Sequence, residues 1–428
     1  MTKSNLPGSH GLTRRRFLEG LTAAPLAASA LRASARPGPR VAVVGAGAFG
    51  GWTAWHLLRG GARVTLIDAW GAGNSRASSG GESRVIRAIY GPDRVYVEMV
   101  RRAFELWEEL DAGAEEPLYV PTGALWMLRG DDRYVREALP ILEGLGFPVE
   151  QPSVEEARRR WPQIDFSGVE TVYLEHRAGA LAARRACIAV RDRVAAAGGE
   201  VRTGWAEPGE IAGGRMGSLR LADGTSVEAD AFVFACGPWL GEIFPEAVGE
   251  RVVPSRQEVY FLGPPAGAGV WGPERLPVWI DFGERVIYGL PDLAGRGLKV
   301  ADDTRGEPID PTTMDRRPNE DGLARIRRFL AERFPALAAA PLVESRVCQY
   351  ENSPDGHLIL DRHPGAGNVW LAGGGSGHGF KLGPAVGELV AAAVLGGPAP
   401  PDRFRLDRSA AAQQGKTQFE SQGERSDP

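Results

Sequence analysis

The sequence predicts an α/β fold in which a parallel sheet flanked by helices is interleaved with an antiparallel sheet. Three observations carry that expectation. A short β-branched run at 40–44 leads at once into a glycine-rich turn and an amphipathic stretch, the order of a strand–turn–helix unit. Residues 259–300 hold several short aromatic and β-branched runs separated by Gly/Pro turns, as antiparallel strands do. A strand-like run at 368–372, a second glycine-rich loop and an apolar helical stretch return the chain to the first style.

The elements follow in order. Thr13-Arg14-Arg15-Arg16-Phe17-Leu18 precedes an uncharged stretch from Gly20 to Leu31 and then Ala33-Ser34-Ala35. Paired arginines, a short apolar segment and a small-x-small site read as a twin-arginine export signal over residues 1–35. That reading implies the twin-arginine translocase as a transient partner and a periplasmic or extracellular destination. Because this route carries folded proteins, it also implies a tightly bound cofactor. Arg40-Val41-Ala42-Val43-Val44 has the look of a buried parallel strand. A helix through Trp52, Trp55, His56 and Leu57 stops at Gly60-Gly61, and Arg63 to Asp68 forms a second strand. A longer helix is expected over about 93–110, its core stripe being Tyr96, Met99, Val100, Ala103, Phe104 and Trp107. Strand character follows at 118–128, a helix at about 181–197, a strand at 231–235 and a helix at about 384–395. From Pro401 the chain is polar, and little order is expected there.

Composition excludes some classes. A net charge of -4 over 428 residues argues against a nucleic-acid binder. Beyond the N-terminal segment no apolar run is long enough for stable membrane insertion. Cys187, Cys236 and Cys348 match no zinc or redox spacing, and no metal site is expected. The first two fall in apolar segments as small core residues; Cys348 is unexplained by packing.

Gly45, Gly47 and Gly50 form a G-x-G-x-x-G between strand and helix, and Asp68 ends the next strand at about the spacing of a ribose-binding acid. A dinucleotide is expected at that helix N-terminus. The second cluster, Gly373-Gly374-Gly375-Ser376-Gly377-His378-Gly379-Phe380-Lys381, and the strand end Phe234-Ala235-Cys236-Gly237 favour FAD over a nicotinamide. Ser376 lacks the glycine two residues later that a nucleophile elbow needs.

With these segments in place the sequence resembles the D-amino-acid-oxidase-type flavoproteins, in the branch of monomeric sarcosine oxidase, N-methyltryptophan oxidase, pipecolate oxidase and the fructosyl-amino-acid oxidases. The resemblance rests on the first glycine motif, Gly81-Glu82-Ser83-Arg84-Val85-Ile86-Arg87-Ala88-Ile89-Tyr90, Val347-Cys348-Gln349-Tyr350 with Asp355-Gly356-His357, and Ser376 to Lys381. It implies a Rossmann-type FAD-binding domain (36–90, 165–250 and 345–398) interleaved with an antiparallel-sheet substrate domain (91–164 and 251–344), α+β overall, and a polar tail from 399. It implies a monomeric enzyme that oxidises the C–N bond of an amine or amino acid and reduces O2 to H2O2, the imine product then hydrolysing.

The resemblance also implies residue roles. Cys348 carries FAD as a thioether. Gly45, Gly47, Ala48, Phe49, Gly50, Asp68, Ser83, Arg84, Gly237, Gly375, Ser376, Gly377, His378, Gly379, Phe380 and Lys381 complete the cofactor site. Arg87 and Lys381 clamp the substrate carboxylate, Tyr288 and Tyr350 wall the cavity, and Lys299 assists O2. Asp303 stands where the sarcosine-oxidase branch has a histidine, so it either pairs with Lys299 or recognises a donor on a larger substrate. A flavin dehydrogenase, a nicotinamide-dependent dehydrogenase and a non-catalytic flavin-binding subunit are the other readings of the same residues.

Overall fold

The structure is a computed structural model that describes residues 37–266 and 269–408. Arg14, Arg15 and the rest of the export segment lie outside the described residues, as does the tail beyond Arg408. Strand Arg40–Val44 sits inside a six-stranded sheet ordered Ile359–His363, Ala366–Gly373, Ala231–Phe234, Arg40–Val44, Arg63–Asp68, Glu200–Thr203. Its neighbours pair in parallel, Val41 facing both Val64 and Ala231. Only the edge hairpin of Ile359–His363 with Ala366–Gly373 is antiparallel.

The apolar alternation explains the two covered faces. Val41 and Val43 join a core made with helices Ala48–Arg59, Ala183–Ala196 and Gly383–Val394. Ala42 and Val44 join Leu219, Leu221 and Val227 from a small antiparallel layer on the other side. A strand buried on both faces has no place for a polar side chain, hence the unbroken run.

The second sheet has eight strands, ordered Leu342–Asn352, Val253–Leu262, Leu298–Asp302, Val286–Leu290, Val278–Phe282, Ala124–Leu128, Thr171–Glu175, Val149–Glu150. It is antiparallel except where Val278–Phe282 runs parallel to Ala124–Leu128.

Three boundaries differ from those expected. Thr171–Glu175 pairs with Ala124–Leu128, and Leu342–Asn352 pairs along its whole length with Val253–Leu262; both belong to the second sheet. Helix Arg94–Asp111 buries the expected stripe, but against the C-terminal helix. Trp107 Nε1 donates to the Lys381 carbonyl at 2.8 Å, and Arg102 donates to both carboxylate oxygens of Glu388 through Nε and Nη2. Trp107 also meets Trp52 edge-on at 5.4 Å, a contact of about 0.5–1.5 kcal/mol beyond area burial. The start of the tail is packed as well. Phe404 is fully buried, Arg408 pairs with Asp355 at 2.7 Å and Arg403 with Asp93 at 2.7 Å. Phe404, the buried Leu406 and these ion pairs together dock a segment whose composition is otherwise polar. No helix among the described residues is long and apolar enough to cross a membrane.

Candidate active site

The first glycine turn forms because only a residue without Cβ fits it. Gly45 has φ +101°, and a Cβ there would stand 2.2 Å from the Ala235 carbonyl; one on Gly50 would stand 1.8 Å from the Gly45 carbonyl. The turn thereby presses helix against strand and places the helix N-terminus in the wall of a cavity of about 1080 Å³. That cavity runs from Gly45, Gly47, Ala48, Phe49 and Asp68, past Gly237, to Gly375, Gly377, Gly379 and Phe380.

Asp68 Oδ2 accepts from Ala46 N at 2.8 Å and Oδ1 from Trp70 N at 2.9 Å. Burial raises its pKa, against the pull of those N–H groups. Ser79 Oγ accepts from Ala48 N at 3.1 Å at the helix start. Trp70, Trp205 and Trp239 also line this cavity, Trp70 lying 5.1 Å from Trp239. The glycine turn at the helix N-terminus and the acid at the next strand end, both in the wall of this cavity, fit FAD.

A second cavity, of about 750 Å³, shares Arg84, Tyr350, Gly377 and Phe380 with the first. Its wall brings together Arg87, Tyr288, Asp303, Cys348, His378 and Lys381. Strand Arg84–Ile86 is held in a small sheet by Gly179–Leu181, and this aims Arg84 and Arg87 inward. Arg84 Nη1 donates to Ser83 O at 2.8 Å, and Nη2 lies 3.4 Å from Cys348 Sγ. Arg87 is 3% exposed and Lys381 4%. Both cations lie over the Tyr90 ring, at 4.7 and 5.1 Å. Lys381 Nζ donates to His378 O at 2.9 Å. Burial, then the charge of Arg87, pushes the Lys381 pKa well down. Burial and then Lys381 do the same to His378, whose ring bonds Tyr90 and the Gly356 carbonyl.

Asp303, buried at the end of its strand, accepts from Tyr350 OH at 2.9 Å. Its charge acts on Arg87 and Lys381. It does not pair with Lys299, because four residues of extended chain separate the two by about 13 Å. Lys299 Nζ donates instead to Ser83 O at 2.9 Å. Burial, followed by the charge of Arg84, lowers its pKa to about 7.

Not every expected residue reaches a cavity. Gly50, Ser83, Ser376 and Lys299 line neither one. Gly50 packs helix on strand, and Ser376 Oγ accepts from Ser353 N at 3.0 Å. Ser83 offers its carbonyl to Lys299 and Arg84. Cys236, read as a small core residue within the strand end Phe234-Ala235-Cys236-Gly237 expected near the flavin, lines the cofactor cavity together with Gly237. The cysteines are unpaired, and the described residues hold no metal-ligand cluster.

The sequence reading missed Ser79, Glu351 and Glu175. Ser79 lies in a run of small residues after the acid-ended strand, a legible if weak signal. Glu175, 4% exposed, accepts from Ala88 N at 2.7 Å and Trp126 Nε1 at 2.8 Å, bracing the segment that carries Arg87. An acid ending an apolar strand gave no local hint of that.

Comparison with known proteins agrees with this geometry. The family described as FAD dependent oxidoreductase (DAO) matches residues 40–393. The monomeric sarcosine oxidase of Arthrobacter sp. (strain TE1826) is 31% identical over 366 residues, 83% of this chain and 92% of that protein. The peroxisomal sarcosine oxidase of Homo sapiens is 30% identical over 355 residues, 81% and 90% of the two chains. Among solved structures, L-proline dehydrogenase from P. horikoshii superposes with TM-score 0.75 at 21% identity, covering 86% of this chain and 97% of that one. This last likeness speaks to the fold alone. Two cavities meeting at Arg84 and Tyr350, one lined by the glycine turn and Asp68, and a match along nearly the whole described chain lead to one assignment: the protein belongs to the FAD dependent oxidoreductase (DAO) family and is an FAD-dependent oxidoreductase.

Proposed function

We propose that the chain oxidises the C–N bond of a small amine bearing a carboxylate, an amino acid or N-substituted amino acid. The imine formed is hydrolysed, and O2 takes the electrons to give H2O2. One arrangement supports this reading: two buried cations, Arg87 and Lys381, in a cavity that joins the cofactor cavity at Arg84, Tyr350, Gly377 and Phe380. Sarcosine oxidases and N-methyl-L-tryptophan oxidases among the relatives favour the same chemistry.

FAD, when bound, supplies the two-electron acceptor. The chain's own residues bind and orient. Arg87 and Lys381 hold the carboxylate through charge-assisted hydrogen bonds, which fix the substrate's direction as well as its place. Asp303 puts negative charge near them, matching a substrate that is anionic at one end and a donor at the other. Tyr288 and Tyr350 close the walls and exclude water. Cys348 is the attachment point for the cofactor, and Lys299 a positive charge for reduced oxygen. The protein acts as a monomer after export through the twin-arginine translocase to the periplasm or beyond. For export, Arg14→Lys with Arg15→Lys is expected to leave a folded, yellow protein in the cytoplasm; normal export of that variant would reject the signal.

A panel of amines, read by anaerobic bleaching of the flavin and by peroxide in air, tests the reaction. Bleaching by carboxylate-bearing amines, with peroxide formed in air, is expected. No bleaching by any of them would reject the substrate class, and bleaching without peroxide would reject O2 as acceptor.

A further inference from the structure

Glu351 is a buried carboxyl that nothing in the proposed reaction uses. It lies on strand Leu342–Asn352, 9% exposed, and its register partner is Pro254, which has no side-chain donor. Oε1 accepts from Gly375 N at 3.2 Å. Oε2 has no hydrogen-bond partner. Yet Glu351 belongs to the wall of the cofactor cavity. The surrounding glycines keep space open around it. A Cβ at Gly237 would stand 3.5 Å from Oε2, one at Gly373 3.6 Å from Oε2, and one at Gly375 2.7 Å from Oε1. The carboxyl therefore lies against Gly237, Gly373 and Gly375 in the wall of the cofactor cavity.

Its electrical surroundings are sparse. Its charge helps to raise the thiol of Cys236, from the end of strand Ala231–Phe234, after burial and Asp68. No lysine or arginine among the described residues acts on it. A buried oxygen with no partner is costly unless a ligand completes it.

We infer that Glu351 is a cofactor-binding residue that acts as a neutral acid, its Oε2 donating a hydrogen bond to an oxygen of the ribityl–diphosphate portion of FAD. An ionised carboxylate would repel that portion, whereas the protonated form supplies the missing donor. Burial, opposed by the Gly375 N–H, raises its pKa to about 7, so the proton is available in neutral solution. The assignment is independent of the substrate and of any bond to Cys348.

Two measurements test it. In a Cys348→Ala background, flavin can leave whatever holds it in the parent, and flavin fluorescence gives the FAD dissociation constant from pH 5.5 to 9. Affinity is expected to fall by up to about tenfold per pH unit once the pH passes the carboxyl's midpoint. Adding Glu351→Gln, which keeps a donor, should abolish that slope and hold the affinity. An affinity independent of pH, or the same slope with glutamine, overturns the inference. The second measurement is the flavin-to-protein absorbance ratio of purified single variants with Cys348 intact. Glu351→Gln should keep its flavin and Glu351→Ala should lose most of it. Full flavin in Glu351→Ala overturns the inference too.

Discussion

Arg84 Nη2 stands 3.4 Å from the sulfur of Cys348, although the two residues come from different sheets. The guanidinium is held by the carbonyls of Ser78 and Ser83. Cys348 thus lines the second cavity beside Arg84, a residue that both cavities share. Acid precipitation of the parent should therefore give a yellow pellet. Cys348→Ala should release its flavin to the supernatant, and Arg84→Met should show a smaller linked fraction with Cys348 intact. Free flavin in the parent supernatant would sink the linkage.

Arg87 and Lys381 provide a second prediction. Replacing either by Met should cost about 2–5 kcal/mol in kcat/KM, the scale for truncating one partner of a buried charged contact. An analogue without the carboxylate should lose far less. Since Lys381 is held well below an ordinary lysine, its cation is present only below that lowered pKa, and carboxylate affinity should weaken as pH rises. Equal losses for both analogues would place these residues in some other role.

Lys299 has a pH signature of its own. With its pKa lowered from 10.5 to about 7, the folded state binds fewer protons than the unfolded chain between those values. Stability should thus rise with pH across that window, and Lys299→Met should remove the rise. Its charge is present below pH 7 and lost above, so stopped-flow reoxidation by O2 should slow as pH passes that point. Lys299→Met should reoxidise about a hundredfold more slowly at low pH, while anaerobic reduction by substrate changes little. A fast parent with an equally fast variant would exclude the role in O2 chemistry.

Away from the site, Asp281 holds two arginines. Its Oδ2 accepts from Arg333 Nε at 2.6 Å and its Oδ1 from Arg129 Nη2 at 2.9 Å, with Asp281 and Arg333 both buried. Asp281→Ala leaves the Arg333 charge uncompensated and should destabilise the holoenzyme by about 3–5 kcal/mol in denaturant unfolding. A change below about 1 kcal/mol would mean that the carbonyls of Asp165 and Ser167, which Arg333 also reaches, satisfy it unaided.

The sequence by itself determined what depends on near neighbours. The run Arg40–Val44, the turn at Gly45 to Gly50 and Asp68 were legible because strand, turn and helix starts are set within a few residues by side-chain period and by glycine's freedom. The buried stripe of helix Arg94–Asp111 was legible for the same reason. Which layer that helix joins was not, because Trp107 and Lys381 meet only after folding. Tertiary structure alone decided that Arg87 and Lys381 share one ring, that Asp303 answers to them rather than to Lys299, and that Thr171–Glu175 enters the second sheet. It also decided that Glu351 brings an unpartnered oxygen into the wall of the cofactor cavity. Such relationships depend on strand register and side-chain direction between segments tens to hundreds of residues apart, where no local pattern records which groups converge.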